Sequence, residues 1–270
     1  MKKLVLLSAF FVCCMPLLVH AQKDSTAKSE FSANLTYQSY LHYFGRSDSL
    51  KSSGYLPSVG YQLKNGLYAQ GTFIFIQNAA LPTQYTGTSL EAGYRFGQNK
   101  HINGNLFFTK FLYADNSVLV QSALQYQSGI NLAFTNPVLN INTGADIKFS
   151  SKTDIGTTIG ADHLFIIKIP QKPMAFAIDP SFYTYLGTQN FSQTYVEKKN
   201  VLGIPVGQQQ VTTNVTSFNI LSYEASMPIV FVAGKFNAAV IPSYVMPQHL
   251  IAGENGQNMF YLTLTLEVKL

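Results

Sequence analysis

The 270-residue sequence has two cysteines, Cys13 and Cys14, and both lie in its apolar leader. The rest can form no disulfide and hold no cysteine-ligated metal. Tryptophan is missing altogether, and charged residues make up only 11%, less than half the roughly 25% usual in soluble proteins. No run of four Lys or Arg occurs, which excludes the basic tract that a nucleic-acid partner would require. Beyond the leader no apolar run approaches the roughly 18 residues of a membrane-crossing helix. A chain so poor in charge, and without such a helix, must place its apolar surface by alternation.

The leader reads as a secretory signal. Lys2 and Lys3 precede the apolar stretch Leu4 to Val19, and Val19-His20-Ala21 suits a cleavage site, so residues 1–21 are expected to be removed. Residues 22–30 follow as a short N-terminal segment, and residues 31–270 as a single domain. A secreted chain of this size without disulfides points to a bacterial envelope. The formal charge of +5 falls to about +3 once Lys2 and Lys3 are lost, too mild to select an anionic partner.

Alternation runs through nearly all the remainder. In "FSANLTYQSYLHY", Phe31, Ala33, Leu35, Tyr37, Leu41 and Tyr43 share one face, with polar residues on the other. In "FYLTLTLEVKL", Phe260, Leu262, Leu264, Leu266, Val268 and Leu270 oppose Tyr261, Thr263, Thr265, Glu267 and Lys269. Between these lie strand-like stretches joined at one side by short turns: "KNG", "GQNKH", "NP", "PQKP" and "AGK". Longer connections fall at Gly45–Ser53, Asn78–Gly87, Thr188–Thr212 and Pro247–Gln257. Ser128-Gly129 and Asn136-Pro137 compete as one reversal. Unbroken parity across the first favours the second.

Short turns at one rim and longer loops at the other are the pattern of an outer-membrane barrel. The expected fold is all-β: an antiparallel up-and-down transmembrane β-barrel of about twelve strands, with fourteen as the alternative count. Closure leaves no sheet edge in lipid, where an unpaired backbone group is costly. The strand "LTLTLEVKL" should therefore pair with the first one, near Phe31–Tyr43. Tyr37, Tyr43, Tyr55, Tyr61, Tyr94, Phe96, Tyr126, Tyr223 and Tyr244 are placed to form aromatic girdles. Two features resist this reading. Lys110 shares a face with Leu106, Phe108 and Leu112, and Pro57, Pro180, Pro228 and Pro242 fall inside strands that offer no free edge.

The same parity assigns Glu91, Arg95, Asp146, Lys148, Asp162, Asp179, Glu224, Glu267 and Lys269 to the lumen. Both signs are present, which fits either a charged constriction or mutual pairing that fills the interior. His42, His101, His163 and His249 have no metal-ligand spacing, and neither a GxSxG elbow nor a phosphate-binding glycine loop occurs. Asp162 and His163 are neighbours and so point to opposite faces of a strand. No cofactor, metal site or catalytic residue is expected, and an enzyme is not the favoured reading.

"GADHLF", "IDPSFYTYLGTQNF", "LSYEASMPIVF" and "IPSYVMPQ" resemble patterns in uncharacterised outer-membrane barrel proteins of the Bacteroidetes, over about the last 110 residues. The resemblance implies a barrel in the cell outer membrane and brings no activity. Three functions are carried forward: a narrow channel for small solutes, a structural or surface-binding barrel with a filled lumen, and a membrane-embedded lipid hydrolase. The expected partners are outer-membrane lipid and, during assembly, the barrel-insertion machinery.

Overall fold

The structure, a computed structural model, describes residues 28–47, 51–98, 100–114, 124–150, 152–190, 217–251 and 256–270. The expected signal segment and most of the connection at Thr188–Thr212 lie outside the described residues. The strands are β1 (Glu30–Gln38), β2 (His42–Tyr43), β3 (Arg46–Ser47), β4 (Ser53–Gln62), β5 (Leu67–Asn78), β6 (Leu81–Phe96), β7 (Ile102–Tyr113), β8 (Tyr126–Phe134) and β9 (Asn140–Phe149). They continue with β10 (Thr153–Asp162), β11 (Phe165–Lys168), β12 (Met174–Ile178), β13 (Ser181–Gly187), β14 (Asn219–Ser226), β15 (Ile229–Ala233), β16 (Phe236–Pro247) and β17 (Met259–Lys269).

All but β2 and β3 belong to one sheet. The pairs β10–β11, β12–β13 and β14–β15 are each one interrupted stave, and the result is a closed antiparallel barrel of 12 strands. β17 pairs with β16 on one side and with β1 on the other, from Ser32 opposite Lys269 to Gln38 opposite Thr263. The seam is therefore where the alternating termini place it. The reversal between β8 and β9 lies at residues 135–139, and β8 runs straight through Ser128 and Gly129.

The two faces separate as the sequence demands. Phe260, Leu264, Leu266 and Val268 are exposed on the outside of β17, whereas Tyr261 is buried inside. The same outward exposure recurs at Leu35 on β1, Val59 on β4, Leu90 on β6, Leu106 and Phe108 on β7, and Ile155 and Ile159 on β10. This continuous apolar exterior is a surface that water would penalise and hydrocarbon would not. Among the outward rings, Tyr37 and Tyr55 lie 5.0 Å apart, and Phe182 and Tyr223 stack at 6.1 Å. Lys110 ceases to be a misfit: its ammonium lies 5.9 Å above the Tyr126 ring, near the β7 end that carries the longer connections. There its apolar stem covers the wall while the charge reaches outward.

The prolines also find their place. The staves break at residues 163–164, 179–180 and 227–228. At these breaks His163 N–H donates to Pro180 O, Asp179 N–H to Pro228 O and Met227 N–H to Pro242 O, at 3.0–3.2 Å. Three prolines thus stand abreast on consecutive staves, where each keeps its acceptor and none interrupts a regular ladder with a missing donor. Pro57 acts similarly. The β4–β5 ladder passes over Leu56 and Pro57 between Tyr55–Phe75 and Ser58–Thr72.

Two expected loops are something else. Asn78–Gly87 is mostly strand: β5 and β6 continue outward as a hairpin turned at Ala79–Ala80, with register shifts near Ile74 and Ile76. The first strand stops at Gln38 instead of Tyr43. The chain then turns inward, and β2 and β3 form a small separate hairpin inside the rim that carries the longer connections, here called the outer mouth. Leu41 and Tyr43, expected on the lipid face, are buried within the barrel. An aromatic-rich run, Tyr40 to Phe44, gains more from burial in the mouth than from extending a strand past the membrane.

Candidate functional site: the barrel lumen

The lumen divides along its axis. Toward the rim of short turns, here the inner end, polar side chains project from neighbouring staves and join in a network. Glu91 on β6 accepts hydrogen bonds from Tyr68 Oη on β5 and Thr109 Oγ1 on β7, each at 2.9 Å. Two pleats further along β6, Arg95 lies 4.6 Å over the Tyr68 ring and donates to Gln62 Oε1. Asn105 Nδ2 donates to Tyr68 Oη at 3.2 Å, and Asn131 Nδ2 to Asn105 Oδ1 at 3.2 Å. The antiparallel register makes this possible: Gln70, Glu91 and Thr109 are abreast, as are Arg95, Asn105 and Asn131.

The other expected lumen residues fall into smaller groups. Asp146 and Lys148 form an ion pair on one face of β9, and Gln127 Nε2 donates to Asp146 at 3.2 Å. Asp162 accepts hydrogen bonds from Asn140 at 2.6 Å and from Asn142. Asp179 faces Asp162, and its Oδ1 has no hydrogen-bond partner. Glu224 accepts from Tyr261 Oη at 2.8 Å, and Glu267 from Asn237 Nδ2 at 2.6 Å. Lys269 lies 3.2 Å from Glu30 at the inner rim. Most of the nine thus meet partners of opposite charge or hydrogen-bond donors, and they do not gather into one centre.

The opposite wall near the inner end is apolar on its inward side as well. Ala177, Val230 and Ala239 pack together with Leu164, Val232 and Ile241. The lumen there has one polar wall and one apolar wall.

The outer mouth is built differently, around residues that the alternation pattern did not assign to the lumen. Tyr43 and Phe44 pack with Leu124, Tyr183, Tyr185 and Leu221. Leu41 packs with Leu56, Ile74 and Ile76, and Tyr40 against Val245, Met259 and Tyr261. Arg46 is 4% exposed. Its Nη1 donates to Phe44 O at 3.2 Å and Leu221 O at 3.1 Å, and its Nη2 to Gln189 Oε1 at 3.0 Å and Gln248 O at 2.9 Å. A guanidinium with its fork donors spread over carbonyls is well matched to such burial. His42 is enclosed, its Nδ1 accepting from Gly45 N–H at 3.2 Å and its ring set edge-on 4.4 Å from Tyr261. Burial without a counter-charge lowers its pKa to about 4. The apolar run "SYLHYF" ahead of Arg46 is the one sequence signal that this connection does not face water.

No protein-family model and no curated protein sequence matches the chain. Solved structures do. The KdgM porin aligns over 88% of this chain and 98% of its own at a TM-score of 0.50 and 9% identity. The NanC porin aligns over 89% and 100% at 0.49 and 9% identity. An outer-membrane channel from Pseudomonas putida F1 aligns over 94% and 99% at 0.48 and 11% identity. At such identities the likeness to the KdgM porin concerns fold: this chain shares the closed 12-strand porin-like barrel.

His163 and Asp162 point to different partners. The His163 ring packs edge-on against Phe165 at 4.4 Å, while Asp162 binds two asparagines. Among the described residues no group of three or more His, Cys, Asp or Glu could hold a metal ion.

Proposed function

We propose that the protein is an integral outer-membrane β-barrel that acts as a narrow channel for small polar solutes. The observation that carries this reading is the closed ring with an apolar exterior and the Glu91–Arg95–Tyr68–Asn105 network on its inner wall. Paired charges of both signs give a lumen that is hydrated and locally strong in field but has little net selectivity. The porin-like fold supports the same function and an outer-membrane location. The motifs "GADHLF" and "LSYEASMPIVF" support the finer assignment to the barrel proteins of the Bacteroidetes.

A second reading, a structural barrel with a filled lumen, is favoured by one observation: the buried hairpin in the outer mouth. The test is fractionation with the outer membrane, heat-dependent gel mobility in detergent, and single-channel recording in planar bilayers. The recording should include a variant with residues 40–51 replaced by a short glycine-serine link. A folded barrel lacking the hairpin that still passes no ions would exclude the channel and leave the structural reading.

A further inference from the structure

The mouth hairpin touches the barrel on opposite sides. Leu41 meets β4 and β5, the second and third staves, whereas Phe44 lies 5.1 Å from Tyr185 on β13, in the ninth. Arg46 adds bonds to Leu221 on β14 and to Gln248 just beyond β16. A two-strand segment that reaches both sides of a ring spans it.

The seat is shaped to receive it. A side chain at Gly54 would collide with Leu41, with Cδ2 at 2.8 Å, and one at Gly45 would collide with Pro247, with Cδ at 2.8 Å. The turn itself has both central residues at positive φ, Phe44 at 51° and Gly45 at 76°. This is the twist of a tight two-residue hairpin turn, and phenylalanine adopts it rarely. Burial of the Phe44 ring offsets that strain. The Lys148 ammonium, 5.9 Å above the same ring, ties the hairpin to the charged row below.

The hairpin nevertheless remains mechanically separate from the wall. It belongs to its own two-strand sheet, and among the described residues its one bridge to another segment is Arg46 with Gly256. Its neck is a hydrogen bond from Leu41 N–H to Ser52 O at 2.7 Å. It can leave as a unit without breaking any ladder of the ring.

We propose that the β2–β3 hairpin is a stopper: seated, it closes the outer mouth, and it must leave its seat before a solute passes. This rests on the channel reading for its biological meaning, but the test separates the two. Ser222 is fully buried on β14, opposite Tyr185 of the seat. A Ser222→Cys variant has no competing thiol after signal removal, and a membrane-impermeant maleimide reports how often its site opens.

With the hairpin present, labelling in folded, vesicle-embedded protein should be slow. Replacing residues 40–51 by a link should speed it about tenfold or more, the factor expected if the seated state is populated about 90% of the time. Arg46→Ala, which keeps the hairpin and removes its guanidinium, should raise the rate in the same direction, as a second arm if the deletion folds poorly. A tether from Gly45→Cys with Pro247→Cys, whose Cβ positions would lie 3.1 Å apart, should silence conductance when oxidised and restore it on reduction. Unchanged labelling in both variants, or full conductance through the oxidised tether, overturns the stopper. Faster labelling with a silent bilayer keeps the stopper and overturns the channel.

Discussion

The two ends of the lumen obey different rules. The inner end is a membrane barrel's interior: polar groups on adjacent staves, with half-exposed Glu91 and Arg95 joined by hydrogen bonds and ring contact to neighbours such as the buried Tyr68 and Thr109. The outer mouth resembles the core of a small soluble protein: Leu41 packs with Ile76 on one side, Phe44 with Leu124 on the other, and the buried Arg46 is bonded to the backbone of Phe44 and Leu221. The same ring of strands encloses both. The difference teaches that alternation decides which face a residue takes, while the content of the enclosed space is decided by segments outside the alternation.

If the mouth is a packed core, its residues should respond like core residues. Phe44→Ala should destabilise the seated hairpin by about 3–5 kcal/mol, the usual range for deleting a buried ring. Faster hydrogen exchange at the Leu41 amide would report it. A rate equal to wild type would reduce the mouth to a loosely held loop and erase the contrast.

Acid should distinguish the ends as well. Within its hairpin His42 pairs with Ser47, and the titratable group it faces is Tyr261 of β17, whose hydroxyl donates to Glu224. The His42 pKa is lowered from 6.5 to about 4 in the folded state, so the released or unfolded form binds the proton first. The neutral ring's contribution is complete above pH 6.5 and is lost progressively as pH falls toward 4. The total is on the order of 3 kcal/mol, since one pKa unit corresponds to about 1.4 kcal/mol. Labelling of Ser222→Cys, divided at each pH by the rate of a free thiol because only the thiolate reacts, should rise over that window, and His42→Phe should flatten the rise.

A positive charge placed on three surfaces sharpens the comparison further. Leu264→Arg, on the outside, should cost about 2–4 kcal/mol if it lies near the midplane. Thr86→Arg, at a fully buried site whose hydroxyl donates to Ile74 O, should cost at least as much, because it overpacks the site and buries a charge without a partner. Thr265→Arg, on the half-exposed inner wall, should cost less than either. Unfolding in lipid, followed by gel mobility, would rank them. Equal tolerance at Leu264 and Thr265 would mean that the apolar stripe does not meet hydrocarbon.

The smallest stability effect is expected at the inner end. Arg95→Gln keeps a donor for Gln62 and loses the charge above Tyr68, a change of about 0.5–1 kcal/mol for an accessible cation–π contact. Its visible consequence should be a shift of reversal potential toward cation preference in the hairpin-deleted channel. An unchanged potential would mean that permeating ions do not pass Arg95.

Much of the wall was legible. Period-2 patterning in "FYLTLTLEVKL" identified both its faces and its partner, and unbroken parity placed the reversal at Asn136-Pro137 rather than Ser128-Gly129. Glu91, Arg95 and Asp146 could be assigned to one face because a strand offers only two. Their groupings could not be foreseen, since register between staves depends on bulges such as those near Ile74, which leave no clear mark in the sequence. Arg46 was missed for a related reason: "GRSDSLKSSG" looks like a hydrated loop by composition. Only the aromatic run before it, which has no periodic partner in sequence, gives its inward course away. The prolines misled because a single strand was considered at a time. Pro180, Pro228 and Pro242 are tolerated as a row.

The seam between β1 and β17 bears on the order in which the protein is made. Its partners, such as Thr36 and Thr265, whose hydroxyls meet at 3.1 Å, are 229 residues apart in sequence, whereas most staves join a neighbour across a single turn. Chain entropy therefore lets the sheet grow hairpin by hairpin and leaves ring closure for the end. Until that last zip, two strand edges stand open, each able to recruit a foreign strand. The seam is thus the molecule's clasp. It is the one junction whose formation is a timed event, and the natural place for any assembly partner to hold the sheet until both edges have arrived.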